Sequence, residues 1–278
     1  MKRIYALGIL SALFFFMAIY SCSKSDNNNN PAVTDEGRTV ELTSAKVNTD
    51  ALYDDVSMEV LQINTESGLT SQPASVDQAC ASVSISPTDP SVWPKTVTVD
   101  YGTTGCSGVN GYVRKGKIIY TLNKKLMNTG AVLNVSFDNY TVNGYKLEGT
   151  YTITNLGSAN GLNVNVQLAN GKVTYPDGKF YTKTTNTTWV QSAGQATLTI
   201  LDDEYDVTGN GTVSSSGNTL TAASKTSLHR TVVCTNTVSG ILDLTYNNIA
   251  GTLDFGTGTC DKVAVLTVAG KQYTVNLP

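Results

Sequence analysis

The chain is poor in the residues that most often carry enzyme chemistry. It has a single histidine, His229, among 278 residues, and only 15% of its residues are charged. It contains no Cys-x-x-Cys pair and no glycine-rich phosphate loop, and its formal net charge is -3. A lone imidazole gives no zinc-like spacing, and a weakly acidic chain offers no basic surface to a phosphate backbone. These absences argue against metal, redox-thiol and nucleic-acid functions.

What the chain does have is an N-terminus suited to export. A basic start precedes an uncharged, apolar stretch from Ile4 to Tyr20, and Ser21 and Cys22 follow it. This is the three-part layout of a secretory signal peptide. A small residue before a cysteine is similar to the bacterial lipobox, in which the cysteine is acylated. We therefore expect a signal peptide over residues 1–21 and a lipid on Cys22; a signal cut elsewhere, or one membrane-spanning helix, is the alternative.

The segment after the cysteine is polar. Residues 22–36 contain four consecutive asparagines, one proline and almost no apolar side chain, which predicts a flexible tether. Ser23 stands where an aspartate marks inner-membrane retention in some bacteria, so we expect delivery to the outer membrane. Two acyl chains or more hold a protein at a bilayer almost permanently.

An internal repeat connects the four remaining cysteines. A shift of 154 positions brings Cys80 onto Cys234 and Cys106 onto Cys260. Six further identities follow at the same shift: Thr98, Asp100, Gly102, Thr103, Gly116 and Lys117 fall on Thr252, Asp254, Gly256, Thr257, Gly270 and Lys271. Four cysteines allow three pairings. The repeat favours two related modules, each closed by its own disulfide, Cys80–Cys106 and Cys234–Cys260.

The sequence of the rest of the chain predicts antiparallel β-structure. Apolar residues recur at three- and four-residue steps only near the start, which predicts one short helix at 49–63. Short alternating segments follow, and the Asn-Gly or Asp-Gly pairs at 143–144, 160–161, 170–171, 177–178 and 210–211 predict tight hairpins between them. The fold class is therefore all-β, an antiparallel hairpin meander that forms a sandwich or open barrel-like sheets. We place the first module, with the helix, at 37–170 and the second at 171–278.

Three groups of polar residues are candidates for chemistry, and each has a structural interpretation that we prefer. His229 could act with Ser227, but this serine lacks the Gly-x-Ser-x-Gly setting of a nucleophile elbow. An acidic cluster could bind Ca²⁺ but lacks the spacing of a calcium loop; it consists of Asp202, Asp203, Glu204 and Asp206. Asp100 and Asp254 each precede an aromatic residue and a glycine, where a carboxylate fixes a turn. We expect no catalytic residue, metal ion or cofactor.

Two tryptophans are candidates for ligand binding. Trp93 lies between prolines in a segment that cannot form a central strand, so no strand face is available to bury it. Trp189 lies in a segment of alternating polar and apolar residues, where an aromatic side chain is more often a core or cross-strand partner. Both rings could stack on a sugar or another planar ligand.

The chain resembles a group of uncharacterised lipoproteins typical of Bacteroidota-type Gram-negative envelopes. The resemblance lies in the lipobox, the Asp-(Tyr/Phe)-Gly-Thr…Cys repeat, Asn143-Gly144…Glu148-Gly149-Thr150 and Thr188-Trp189-Val190. It implies a lipid-anchored protein of the outer membrane, on the periplasmic face or the cell surface, and it implies no activity.

The first hypothesis for function is a non-enzymatic envelope protein with a binding or structural role. Its partners would be the membrane, through acylated Cys22, and a glycan or another envelope protein, but no nucleic acid. The second hypothesis is a glycan-binding lipoprotein that works with a polysaccharide uptake system. The third is an envelope hydrolase, which the residues support least.

Overall fold

The computed structural model of the protein describes residues 34–66, 80–108, 111–159, 161–197 and 199–278. These residues belong to one compact unit. The signal peptide, Cys22 and most of the tether lie outside the described part of the chain, so the assignments made for them remain predictions.

The described residues form one helix and fifteen strands. Helix α1 is Asp35–Glu66. The strands are β1 (Ser82–Ser86), β2 (Lys95–Asp100), β3 (Cys106–Ser107), β4 (Val113–Leu122), β5 (Val132–Val142), β6 (Tyr145–Asn155), β7 (Asn163–Thr174), β8 (Phe180–Ala193), β9 (Glu204–Ser215), β10 (Asn218–Ser224), β11 (Leu228–Thr231), β12 (Ser239–Tyr246), β13 (Ile249–Thr257), β14 (Val263–Val268) and β15 (Lys271–Asn276).

All fifteen strands belong to a single sheet, and their pairings are antiparallel. The order is β1-β2-β4-β5-β6-β7-β8-β9-β10-β12-β13-β14-β15, with β3 beside β4 and β11 between β9 and β12. The prediction of an antiparallel hairpin meander with one N-terminal helix is confirmed. The sheet is continuous across the two predicted modules.

Only some of the Asn-Gly and Asp-Gly pairs make the hairpin turns that were predicted. Asn143-Gly144 joins β5 to β6 with φ of 49° and 82°, and Asp177-Gly178 lies in the turn between β7 and β8. Asn170-Gly171 and Asn210-Gly211 lie inside β7 and β9, so the prediction of turns there is wrong. Asn170, with φ 52°, lies at a register shift of β7, because a bulge also needs residues that accept a left-handed backbone. Asn160 of the fifth pair is outside the described residues.

Helix α1 is longer than the helix predicted at 49–63, and it includes the last two residues of the predicted tether. The prediction depended on regularly spaced apolar residues, and the N-terminal half of α1 lacks them. Thr39 and Thr43 are fully buried there. Their hydroxyls donate to the main-chain oxygens four residues earlier, at 2.8 and 2.7 Å. Because the helix itself satisfies these groups, polar residues can be buried without an apolar stripe.

Helix α1 packs on the sheet and joins two clusters of buried apolar residues. Its C-terminal half, which includes Tyr53, Val56 and Val60, packs with residues of β2 to β9. Its N-terminal half, which includes Leu42 and Val47, packs with residues of β8 to β15. We call these the first and second core clusters. The helix therefore belongs to both parts of the interior.

The two segments related by the 154-residue shift share local structure but differ in strand topology. Asp100 accepts the Gly102 N–H at 2.9 Å, and Asp254 accepts the Gly256 N–H at 2.8 Å. These are the turns that we expected the two carboxylates to fix. After the second cysteine, the first segment continues as the single strand β4, whereas the second forms the β14–β15 hairpin. The boundary that we placed after residue 170 falls inside β7.

Apart from the connection that contains β3, the long connections lie at one end of the sheet and the tight turns lie at the other, because successive antiparallel strands alternate in direction. The long connections are residues 87–94, 123–131, 156–162, 194–203, 232–238 and 258–262. Each of the first five has a large apolar side chain that is exposed: Val92, Met127, Leu156, Leu201 and Val233. We call this side of the sheet the loop end.

Candidate functional site

Helix α1 has a row of carboxylates whose partners are basic residues of the sheet. From the start of the helix to its second half, the pairs are Glu36–Lys271, Glu41–Lys179, Asp50–Lys183, Asp54–Arg230 and Asp55–Arg114. The basic partners belong to β15, the β7–β8 turn, β8, β11 and β4. We call these five contacts the helix–sheet ion pairs. They attach the helix to distant strands and thereby define its position on the sheet.

Asp50 has two ammonium partners. Lys46, one turn earlier on α1, donates to Asp50 Oδ2 at 2.6 Å, and Lys183 of β8 donates to Oδ1. Burial opposes ionisation of Asp50, but the positive charges of Lys183 and Lys46 outweigh it and hold the pKa of Asp50 below its ordinary value. Burial lowers the pKa of Lys183. Asp50 is therefore the ionised centre of this group.

Asp54 and Arg230 form the next pair, and it lies against an indole ring. Arg230 Nη1 donates to Asp54 Oδ2. The guanidinium carbon is 5.5 Å from the centre of the Trp189 ring, in a cation–π arrangement, and the Tyr205 ring centre is 6.0 Å from that of Trp189. Burial raises the pKa of Asp54 above its ordinary value, in contrast to Asp50. Arg230 Nε has no hydrogen-bond partner among the described residues.

The side chain of Tyr53 attaches the middle of the helix to the sheet. The Tyr53 hydroxyl donates to the Glu148 main-chain oxygen at 2.6 Å and accepts the Lys172 N–H at 3.1 Å. These residues face each other across β6 and β7 beside a register shift, so Tyr53 contacts the two strands at an irregular point. Burial raises the pKa of Tyr53. The phenol therefore remains a hydrogen-bond donor across the physiological range.

A cavity of about 80 Å³ lies between α1 and the sheet, beside both ionic groups. We call it the helix–sheet cavity. The ionisable acids and bases that line it are Lys46, Asp50, Asp54, Lys183 and Arg230. Apolar side chains such as Leu242 and Phe255 complete its wall. Thr235 and Pro278 also line it and are exposed, so the cavity opens to solvent at the loop end.

The two candidate tryptophans lie in different places. Trp189 lines the helix–sheet cavity but is only 1% exposed, and its Nε1 donates to Thr187 Oγ1 at 3.1 Å. Because Arg230 lies over the ring, Trp189 is not an open stacking platform. Trp93 is half-buried in the connection between β1 and β2, with Lys95 Nζ 5.8 Å from its ring centre.

The predicted disulfide pairing is confirmed. Cys80–Cys106 has a Cα–Cα distance of 5.6 Å, Cys234–Cys260 has one of 5.8 Å, and each spans 26 positions. The first bond lies at the end of the sheet that has tight turns. The second joins two connections at the loop end. Each disulfide therefore constrains a different end of the sheet.

His229 of β11 lies between two carboxylates of the neighbouring strand β9. Its Nδ1 is 3.0 Å from Asp206 Oδ1 and its Nε2 is 3.2 Å from Glu204 Oε2. The rest of the acidic cluster has other partners: Asp203 accepts from Tyr205 and Gln191, and Asp202 accepts from Thr197. Within the described ranges, no three His, Cys, Asp or Glu residues are grouped so that they could hold a metal ion.

Sequence reasoning did not find the ionic residues of this site. Asp50 and Asp54 are four residues apart on a predicted helix, a spacing that places both carboxylates on one face. Nothing in the sequence identifies their partners, because Lys183 is 133 positions from Asp50 and Arg230 is 176 positions from Asp54.

Similarity to known proteins gives no guide to this site. Comparison of the chain with protein-family models, with curated proteins and with solved structures found no match. No helix in the described part of the chain is both long and apolar enough to cross a membrane. Any functional proposal therefore has to begin from the chain's own residues.

Proposed function

We propose that the protein is a non-enzymatic, lipid-anchored component of a Gram-negative cell envelope, with a binding or structural role. The observation that carries this proposal is the pair of disulfides, Cys80–Cys106 and Cys234–Cys260. Such bonds persist in oxidising compartments such as the periplasm and the cell surface. The export signal and the lipobox-like Ser21-Cys22 in the sequence support the same location.

The pairing of charged side chains with one another supports a role without catalysis. Asp50, Asp54 and Asp55 of the helix are each paired with a basic residue of the sheet. His229 is placed between Glu204 and Asp206. These contacts position the helix and join β9 to β11, and they leave the carboxylates committed to structural partners. A broad panel of glycoside and ester substrates is expected to show no turnover, and any robust hydrolysis contradicts the proposal.

The anchor is tested by metabolic labelling. The full chain is expressed in a Gram-negative host with labelled palmitate, beside a Cys22→Ala control. The label is expected on the wild-type protein in the outer-membrane fraction, and it is expected to be absent from the variant. An unlabelled wild-type protein that is released into the medium and begins at another residue contradicts the proposal.

Glycan binding is the second candidate role, and Trp93 is the residue that favours it. Its ring is half-buried on a loop, so part of it faces solvent. A glycan array with the mature chain tests this role: a positive signal that Trp93→Ala abolishes supports it. Phe180→Ala is the matched control, because Phe180 is an exposed aromatic residue on another part of the surface. An array without signal argues against this candidate.

A further inference from the structure

A second cavity, of about 110 Å³, lies at the loop end. Its lining comes from the connections 123–131, 156–162 and 194–203 and from strands β8 and β9. The exposed part of the lining is Met127, Gln195, Thr197 and Thr199. The buried part includes Leu162, Ile200, Asp203 and Tyr205. The space therefore opens to solvent on one side and meets buried side chains on the other, and we call it the Asp203 cavity.

Asp203 is a buried carboxylate for which the described residues supply no cation. The residue is 5% exposed. Gln191 Nε2 donates to its Oδ1 at 2.7 Å, and the Tyr205 hydroxyl donates to its Oδ2 at 2.8 Å. Both donors also line the cavity, so the carboxylate lies among the lining side chains. The gaps between the described ranges cannot supply a cation either, because 67–79, 109–110, 160 and 198 contain no lysine, arginine or histidine.

The surroundings of Asp203 disfavour its negative charge. Burial raises the pKa of Asp203, the hydrogen bonds from Tyr205 and Gln191 do not cancel this effect, and the charge of Asp202 adds to it. A cation that reaches the carboxylate would stabilise its ionised form. Each carboxylate oxygen has room for a second hydrogen bond, so a cation with N–H donors can bind beside Gln191 and Tyr205 without displacing them.

The rest of the lining decides what kind of cation fits. Leu162, Ile200 and Met127 give the cavity apolar walls, which suit an alkyl chain better than a hydrated metal ion. The volume of about 110 Å³ is roughly three quarters of the 150 Å³ in which an engineered cavity holds benzene. The space therefore suits a chain of about four non-hydrogen atoms and is too small for a sugar ring.

We propose that the Asp203 cavity binds a primary alkylammonium group with about three carbon atoms. The ammonium donates to the Asp203 carboxylate, and the alkyl chain contacts Leu162, Ile200 and Met127. The same group occurs in a free small amine and at the end of a lysine side chain of another protein. This site is additional to the envelope role and does not depend on the lipid.

The methionine methyl groups provide a direct test with the wild-type protein. The mature chain has two methionines, Met127 at the cavity and Met58 on α1. n-Propylammonium chloride is titrated into the chain labelled with ¹³C-methyl methionine, and sodium chloride keeps the ionic strength constant. The Met127 signal is expected to shift saturably with a Kd of about 1 mM or below, and the Met58 signal is expected to stay unchanged. n-Propanol has the same length without the charge and is expected to bind at least about tenfold more weakly.

Two aspartate variants locate the binding. Asp203→Asn keeps the shape of the side chain and removes its charge, so it is expected to weaken propylammonium binding by about tenfold or more. Asp202→Asn is the matched control, because Asp202 is exposed and water screens its charge. It is expected to bind within about twofold of the wild type. The Met58 signal shows whether each variant is folded.

A blocked lysine, Nα-acetyl-lysine methylamide, separates the two sources of the ammonium group. Binding as tight as that of propylammonium supports a protein lysine, and binding at least about tenfold weaker supports a free amine.

Other outcomes overturn the proposal. A folded wild-type protein whose Met127 signal does not shift at about 20 mM propylammonium overturns the site. Equal binding of n-propanol, or an equal shift with potassium chloride alone, overturns the ligand class. Wild-type affinity in a folded Asp203→Asn variant overturns the role of the carboxylate. None of these readouts involves acylation, so they are independent of the palmitate experiment.

Discussion

Arg114 and Lys117 lie close together on β4, and each pairs with an aspartate, but solvent reaches only one of the two pairs. The Arg114 side chain is 2% exposed, and its Nη2 is 2.5 Å from Asp55 Oδ1. The Lys117 ammonium is 2.7 Å from Asp100 Oδ2, with the two side chains 40% and 32% exposed. Water screens the second pair, whereas breaking the first leaves a buried carboxylate without its cation.

Arg114→Gln is therefore expected to lower the free energy of unfolding by about 3 to 5 kcal/mol. Lys117→Gln is the control and is expected to cost much less, because water screens its pair with Asp100. Urea unfolding of both variants beside the wild type measures the difference. Similar costs for the two variants would show that burial does not govern the strength of these pairs.

The pH dependence of stability is also decided by single residues. The pKa of Asp50 is about 2 in the folded chain against 3.8 for the free side chain. The unfolded chain therefore binds the proton first, and the stability contributed by Asp50 is lost as the pH falls from about 4 to 2. Asp50→Asn is expected to flatten the fall in stability over that range.

The pKa of Asp54 is shifted in the opposite direction from that of Asp50, so Asp54 provides the comparison. Its pKa is raised by burial, so the folded chain keeps the proton to a higher pH than the unfolded chain does. Asp54→Asn is therefore expected to steepen the acid-induced loss of stability. The variant also removes the anionic partner of Arg230, which lowers stability separately from this change in slope. Urea unfolding at a series of acidic pH values measures both slopes. Identical slopes in the two variants would contradict the assignment.

At the scale of elements, two glycines related by the internal repeat occupy different structures. Gly116 in β4 and Gly270 in the β14–β15 turn both have φ of 75°. A Cβ atom on Gly116 would lie 2.3 Å from the Asn139 main-chain oxygen, whereas one on Gly270 would meet nothing within 4 Å. The repeat therefore preserves the backbone conformation but not the surroundings.

Gly270→Ala is expected to cost about 1 to 2 kcal/mol, the strain of a left-handed alanine. Gly116→Ala adds a collision with the neighbouring strand and is expected to cost about 3 kcal/mol or more. Thermal or urea unfolding of the two variants compares them. Equal costs would indicate that the β4–β5 bulge relaxes to make room.

The disulfide at the loop end is a second test at this scale. In the chain-entropy model, a loop of this size restricts the unfolded chain by about 3.5 kcal/mol. The double variant Cys234→Ser with Cys260→Ser is expected to lose that amount in urea unfolding without a reductant. Cys80→Ser with Cys106→Ser is the matched control. Its bond has the same spacing of 26 positions, so the same loss of stability is expected. An unchanged midpoint in both would exclude a stabilising role.

At the scale of the whole molecule, the helix couples the two core clusters. Both clusters include residues of α1, and Tyr175 and Leu228 pack against both of them. Because α1 is shared, separate unfolding of the two clusters is costly, since either cluster alone would leave one half of the helix exposed. We therefore expect one cooperative transition in which tryptophan fluorescence and far-UV circular dichroism coincide.

A remote mutation tests this coupling. Leu253→Ala removes a fully buried side chain of the second core cluster, and it is expected to cost about 2 to 5 kcal/mol. Trp189 belongs to the first core cluster. Trp93, the other tryptophan, also packs against this cluster, so tryptophan fluorescence reports on it. If the molecule unfolds as one unit, the transition seen by fluorescence moves by the same amount. An unchanged fluorescence transition would mean that the two core clusters unfold independently.

Sequence patterns that extend over a few residues were sufficient to predict much of this fold. Alternation along the chain indicated antiparallel strands, and Asp100 and Asp254 make the turns expected of an aspartate before an aromatic residue and a glycine. The repeated spacing of the cysteines predicted both disulfides. The same patterns were ambiguous at Asn170-Gly171, because a bulge and a hairpin turn both need a left-handed backbone.

The sequence by itself determined the β-rich character, the cysteine pairing and the predicted export signal, because each depends on local or repeated patterns. Only the tertiary structure decided the length of α1, the helix–sheet ion pairs and the cavity beside Arg230. A helix that buries Thr39 and Thr43 and half-buries Asp50 looks unfavourable until the partners of these residues are known. Those partners include a basic residue 133 positions away, and burial of the charge is tolerated only once the folded sheet places it in contact.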